Sequence, residues 1–150
     1  MIESVPLHVH QDAAELAEDA RRLLAELDAQ IPGAAAASGE CRPPLDVLET
    51  AEAVEVVVDV PGMPADALRV AIHGNAVLIV GAKLGLTVAP TTRFHLAERA
   101  YGRFARVVRL AGAVDSRRAR AAVTAGQLRI IVPRIEDQRG RAIDVPVERG

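Results

Sequence analysis

Catalysis and metal binding need nucleophiles, bases or ligands held at particular spacings, and few positions in this chain offer them. His8 and His10 stand one residue apart near the N-terminus. Two imidazoles can touch one metal ion, but protein metal sites usually take three or four ligands, and no other His or Cys lies nearby in the sequence. The two therefore read as a surface pair. His73 falls on the polar side of an alternating segment and His95 in a long connection, neither inside a motif. Ser4, Ser38 and Ser116 sit in loop-like sequence without the strained elbow that activates a serine. Cys41 is the single cysteine, next to Arg42. A neighbouring cation would lower its pKa and favour the thiolate; the plainer reading is an incidental linker thiol. Gly74-Asn75 and Gly102 match no phosphate-cradling loop. The carboxylates are scattered, with no pairing that general acid–base chemistry would need. No enzyme, cofactor or metal is expected.

Composition narrows the class. The chain has 150 residues, a net charge of −2 and 50% hydrophobic residues, with no Trp, one Tyr and two Phe. Its core must rest on Val, Leu and Ile. The net charge is too small for phosphate-driven nucleic-acid binding, which needs a concentrated basic surface. Arginines do cluster in 99–109 and 117–120, but without interleaved aromatics for base stacking they read as solvated or ion-paired strand faces. A lone cysteine cannot form an internal disulfide, which points to a reducing compartment. The first residues lack a basic stretch followed by an apolar one, and no apolar run approaches membrane-spanning length. The expected location is the cytoplasm.

Hydrophobic periodicity then divides the chain into three parts: an Ala-rich, acidic arm (1–42), a Val-rich region punctuated by Gly and Pro (43–134), and a charged tail (135–150). In the arm, Leu16, Ala20, Leu23, Leu27 and Ile31 recur at three- and four-residue spacing and predict a helix over about 12–30. Asp12 is its candidate N-cap, with Glu15 completing a capping box; Glu18 and Arg22 form an i,i+4 pair; Pro32-Gly33 ends it. In the middle region the period changes to two. Val54, Val56, Val58 and Val60 share a face opposite Glu55 and Asp59, and Leu68, Val70 and Ile72 alternate after Pro61-Gly62. Gly74-Asn75 signals a hairpin into 76–80. After a long connection, 83–97, come a strand over 101–110, with Phe104, Val108 and Leu110 on one side, and a last pair around Ala125-Gly126. Short, closely spaced strands with turn chemistry between them predict an all-β sandwich, which takes roughly 90–100 residues.

Taken in order, these segments resemble the small heat shock proteins of the alpha-crystallin family, in their bacterial form. The resemblance covers about 45–147. It runs from Pro44-Leu45-Asp46-Val47 through Asp59-Val60-Pro61-Gly62, Leu68-Arg69-Val70-Ala71-Ile72 and Leu78-Ile79-Val80-Gly81. It continues in Glu98-Arg99-Ala100-Tyr101-Gly102-Arg103-Phe104-Ala105-Arg106, close to the family's E-R-x-Y-G-x-F-x-R run, and in Ala121 followed by Gly126-x-Leu128, its A-x-x-x-x-G-x-L signature. Ile143-Asp144-Val145 is similar to the tail motif I-x-I/V. Four departures stand out, the first being Ala111-Gly112 in place of the usual Leu-Pro continuation after Leu110. Ala125 replaces the usual Asn or Asp, implying a looser turn; residues 84–92 carry no charge; and the arm has no Phe or Trp.

The resemblance implies an immunoglobulin-like β-sandwich, the alpha-crystallin domain, with a short helical N-terminal arm and an extended C-terminal tail. It implies an ATP-independent chaperone that holds partly unfolded proteins, works as an oligomer of dimers, and needs neither nucleic acid nor a membrane span. Leu16, Leu23, Leu27 and Ile31 would hold clients or pack arm against arm. Arg93, Phe94, His95 and Leu96 would cross to a neighbour as a short strand, with Arg109 also at that interface. Ile143, Val145 and Val147 alternate to one side of an extended tail and are expected to dock in a groove of another dimer, between Leu68, Val70 and Ile72 on one strand and Ala121 and Val123 on another. The alternative is a CS-domain-like co-chaperone or adaptor; such proteins generally lack both the long crossing connection and the tail motif.

Overall fold

The computed structural model describes residues 7–34, 41–135, 142 and 144–149, and only the backbone of 7–12. One helix and seven strands follow in order: α1 (Leu7–Gln30), β1 (Leu45–Glu49), β2 (Ala53–Asp59), β3 (Leu68–His73), β4 (Ala76–Lys83), β5 (Gly102–Arg109), β6 (Arg120–Thr124) and β7 (Gln127–Pro133). The strands form two antiparallel sheets, one of four in the order β1-β2-β7-β6 and one of three in the order β3-β4-β5. This is the expected β-sandwich.

Alternation explains the core. Val54, Val56 and Val58 of β2 and Leu128, Ile130 and Val132 of β7 face inward from one sheet. Leu68, Val77, Ile79, Phe104 and Val108 meet them from the other. Phe104 is the one buried aromatic among the described residues, and it fits because its cross-strand partner is Gly81. A Cβ on Gly81 would stand 2.6 Å from the Phe104 ring, inside van der Waals contact.

Two tight turns set the hairpin registers. His73 pairs with Ala76 around Gly74-Asn75, where Gly74 alone takes a positive φ of 62°. Thr124 pairs with Gln127, leaving Ala125 (φ 51°) and Gly126 (φ 76°) as a two-residue turn with both centres left-handed. The looser turn expected from Ala125 is therefore not found. The Gly126 carbonyl accepts a 2.7 Å hydrogen bond from the Val60 amide, tying the turn to the end of β2, and the Thr124–Gln127 register holds Ala125 within a two-residue turn.

The arm differs in detail from expectation. α1 runs from Leu7, so Asp12 lies inside the helix and not at its N-terminus. Arg22 pairs with Asp19 and Glu26, and Glu18 with Arg21, in place of the predicted Glu18–Arg22 pair. The helix ends as predicted before Pro32-Gly33, with Gly33 at φ 83°. Strand β1 is an addition: Leu45–Glu49 lack a clean alternation because only Leu45 packs against the core.

Candidate functional site

The predicted groove forms where the two sheets meet at one side of the sandwich. β3 and β6 are edge strands of different sheets, so their backbones are not joined across the gap. Val70 and Ile72 border it from β3 and Ala119 and Ala121 from the β6 side, with Ile130 as floor and Ser116, Arg117 and Arg120 at the rim. It encloses about 310 Å³. Small side chains on β6 keep it open. Of the five residues expected to form it, Val70, Ile72 and Ala121 line it; Leu68 turns into the core and Val123 packs against the core. Sequence reasoning missed Ile130 and the rim. Ile130 carries the same alternating signal as its β7 neighbours, but which strand floors a gap is not a local property.

The described residues of the tail expected to fill such a groove, 142 and 144–149, are all exposed. Val145 and Val147 are 78% and 98% exposed. Ile143 lies outside the described residues.

A second candidate surface is the long connection between β4 and β5. The Tyr101 ring closes its base, 3.4 Å from where a Cβ on Gly85 would stand. Leu86, Val88, Phe94 and Leu96 gather above it around a cavity of about 330 Å³, and all four remain exposed. No strand forms at Arg93–Leu96 within the single chain, since a strand needs a ladder partner and none is offered there. Arg93 and His95 are exposed as well. Arg109 is exposed on β5 and enters none of the ion pairs among the described residues. β1 meanwhile presents an unpaired outer edge, with Val47 and Leu48 exposed.

The arm residues are placed differently from a free client-holding stripe. Leu23 and Leu27 pack on Leu78 and Val80, with Ile31 and Ala71 alongside, and Leu16 is also buried. Leu78 and Val80 are the outward-facing residues of β4, so α1 covers the outer face of the three-stranded sheet. Polar pairs frame the contact: Arg103 to Asp28 at 2.9 Å, Arg69 to Glu26 at 4.0 Å, and His73 Nε2 to Glu15 at 2.8 Å. Arg69 also donates to the Gln30 side chain.

The chemical candidates resolve simply. Burial pushes the Cys41 thiol up, and Lys83, not the adjacent Arg42, lowers it in part. The thiol is thus less reactive than its neighbour in sequence suggested. His73 is engaged with Glu15, and the side chains of His8 and His10 lie outside the described residues. Among the described residues, no group of three His, Cys, Asp or Glu could hold a metal, and no helix is long and apolar enough to cross a membrane.

Comparison with known proteins agrees with this architecture. Residues 46–148 match the model of the Hsp20/alpha crystallin family. The 18.9 kDa heat shock protein of Oryza sativa subsp. japonica is 32% identical over 140 residues, covering 93% of this chain and 79% of its own length. Small heat shock protein C4 of Rickettsia felis is 29% identical over 103 residues, 69% of this chain and 63% of that one. Among solved structures, a small heat-shock protein from Xylella fastidiosa is similar with a TM-score of 0.60 at 25% identity, over 71% of this chain and 98% of the other. Heat shock protein 16.0 from Schizosaccharomyces pombe gives 0.62 at 22% identity, over 73% and 100%, a likeness of fold. With its two-sheet sandwich, its open β3/β6 groove and a family match over 46–148, this chain belongs to the Hsp20/alpha-crystallin family of small heat shock proteins.

Proposed function

We propose that the protein is an ATP-independent holdase of the cytoplasm. It keeps partly unfolded proteins from aggregating and works as an oligomer of dimers, with 1–42 as arm, 43–134 as sandwich and 135–150 as tail. Membership of a chaperone family supports the general role. The observation that carries the finer reading is a matched pair of surfaces that one chain leaves unsatisfied. An apolar groove stands open between β3 and β6, while Val145 and Val147 of the tail lie exposed. Seating the tail of one dimer in the groove of another satisfies both. Burying two branched aliphatics contributes roughly 3–5 kcal/mol gross, and ordering each tail residue costs about 1 kcal/mol or more. A single docked tail is therefore weak, and many together hold the assembly.

The dimer is built differently. The exposed Phe94–Leu96 segment crosses to a neighbour and adds a strand, and the unpaired β1 edge with its exposed Val47 and Leu48 is the acceptor that best fits it. Arg109 serves that interface from β5.

The test combines native mass with an aggregation assay on the same fractions. A heat-labile client should stay soluble in several-fold molar excess of the protein without nucleotide. Replacing 84–97 with a short Gly-Ser turn should leave a folded sandwich that is monomeric. Suppression only with ATP overturns the holdase reading. A dimer surviving the deletion overturns the crossing strand. A wild-type chain that is a monomer and suppresses nothing favours the adaptor class.

A further inference from the structure

In a two-sheet sandwich each sheet commonly keeps one face in water. β4 does not: Ala76 through Ala82 are buried on both sides. Val77 and Ile79 enter the sandwich core, while Leu78 and Val80 point away from it into Leu23 and Leu27. An apolar strip thus runs along the outer face of the three-stranded sheet, with Ala71 extending it onto β3. Its border is basic on both sides. Arg69 and His73 stand on β3 and Arg103 on β5, and all three face acids of α1: Glu26, Glu15 and Asp28.

We propose that this face is a binding site for acidic amphipathic helices, that α1 is its resident occupant, and that a client segment of the same type displaces it. Three features argue for a site that exchanges its occupant. The apolar strip is small, Leu78 and Val80 of β4 with Ala71 of β3, and it is met by helix residues at 23, 27 and 31, which recur at the four-residue spacing of one helix face. The selecting side chains remain partly exposed, at 38% for Arg103, 21% for Arg69 and 46% for His73, so these pairs bias which helix binds without locking it in place. α1 meets the sheet through side chains alone, because β4 is the central strand and its backbone is already paired on both edges. A partly unfolded protein that presents aliphatics at i and i+4 with flanking Asp or Glu offers the same chemistry as α1. A basic amphipathic helix would meet Arg69 and Arg103 with like charge and be rejected. The identity of the displacing helix as client rests on the holdase reading; the site itself does not.

The test uses the full chain and a fluorescein-labelled peptide carrying residues 12–31, followed by fluorescence anisotropy. In the wild type the tethered α1 competes, so the peptide binds weakly. Leu27→Asp unseats the chain's own helix, and peptide affinity should rise about tenfold, the factor by which occupancy had masked the site. In that background Arg103→Glu should weaken binding about three- to tenfold, and a peptide with Asp28→Arg should recover it. Should Leu27→Asp fold poorly, the pair Glu26→Arg with Asp28→Arg loosens α1 by changing only partly exposed side chains, and the same rise is expected. Equal affinity for wild type and the loosened chains, or binding indifferent to the charge swap, overturns the proposal. Neither result bears on aggregation suppression, so failure here and failure of the holdase reading are told apart.

Discussion

Two apolar surfaces share strand β3 and have opposite fates. On the outer face of its sheet, Ala71 joins Leu78 and Val80 under α1, and the helix residues pressed against them reach 0% exposure at Leu27. One residue along, Val70 and Ile72 border a groove that stands open among the described residues. The first surface is satisfied within one chain because a helix of matching period is tethered nearby. The second is flanked by two sheet edges and suits an extended segment, and the segment of right character lies exposed at the far end of the chain. A helix of matching period covers the first surface, while the second, bounded by two sheet edges, stays open among the described residues.

The contrast can be broken by mutation. The largest effect is expected at the covered face. Leu27→Ala removes a fully buried side chain and should cost about 2–4 kcal/mol, less where α1 can let go of the sheet before the sandwich unfolds. Urea denaturation at fixed protein concentration measures it, and limited proteolysis should cut α1 sooner. An unchanged midpoint would mean that α1 does not hold the sheet face in solution.

A smaller change of opposite sign is expected at the turn that closes β6 onto β7. Ala125 is held at φ 51°, where a Cβ costs about 1–2 kcal/mol. Ala125→Gly should return about 0.5–1 kcal/mol after the added freedom of the unfolded chain is counted. Because β6 borders the groove, this variant also shows whether firming one wall alters assembly, by denaturation and native mass together.

The smallest effect on subunit stability, within about 0.5 kcal/mol, is expected from Ile143→Ala with Val145→Ala. Val145 buries little in its own chain. Native mass should nonetheless fall to that of dimers. A lower midpoint with unchanged mass would reverse the comparison, making the tail an internal contact of its own subunit.

Much of this molecule was legible from period and turn chemistry. The Val54–Val58 alternation, the two Gly-containing hairpins and the helix stripe each encode a local preference, and each formed where expected. Three groove residues could be named because alternation says which side of a strand they occupy. The helix start was missed because α1 extends through His8 and His10 to Leu7, and neither of those residues marks a start. β1 was missed because most of its side chains face solvent, so its pairing with β2 leaves no apolar signature.

The sequence by itself determined the fold class, the succession of strands from β2 onward and the family, since these follow from local periodicity and from motif order. Only the tertiary structure decided that the stripe of α1 is spent on its own sheet, that Ile130 floors the groove, and that Arg69, Arg103 and His73 face the acids of α1. The reason is physical. Periodicity says that a side chain has an apolar or charged face to satisfy, but not which distant surface satisfies it, and that choice is made by packing between residues as far apart as Asp28 and Arg103.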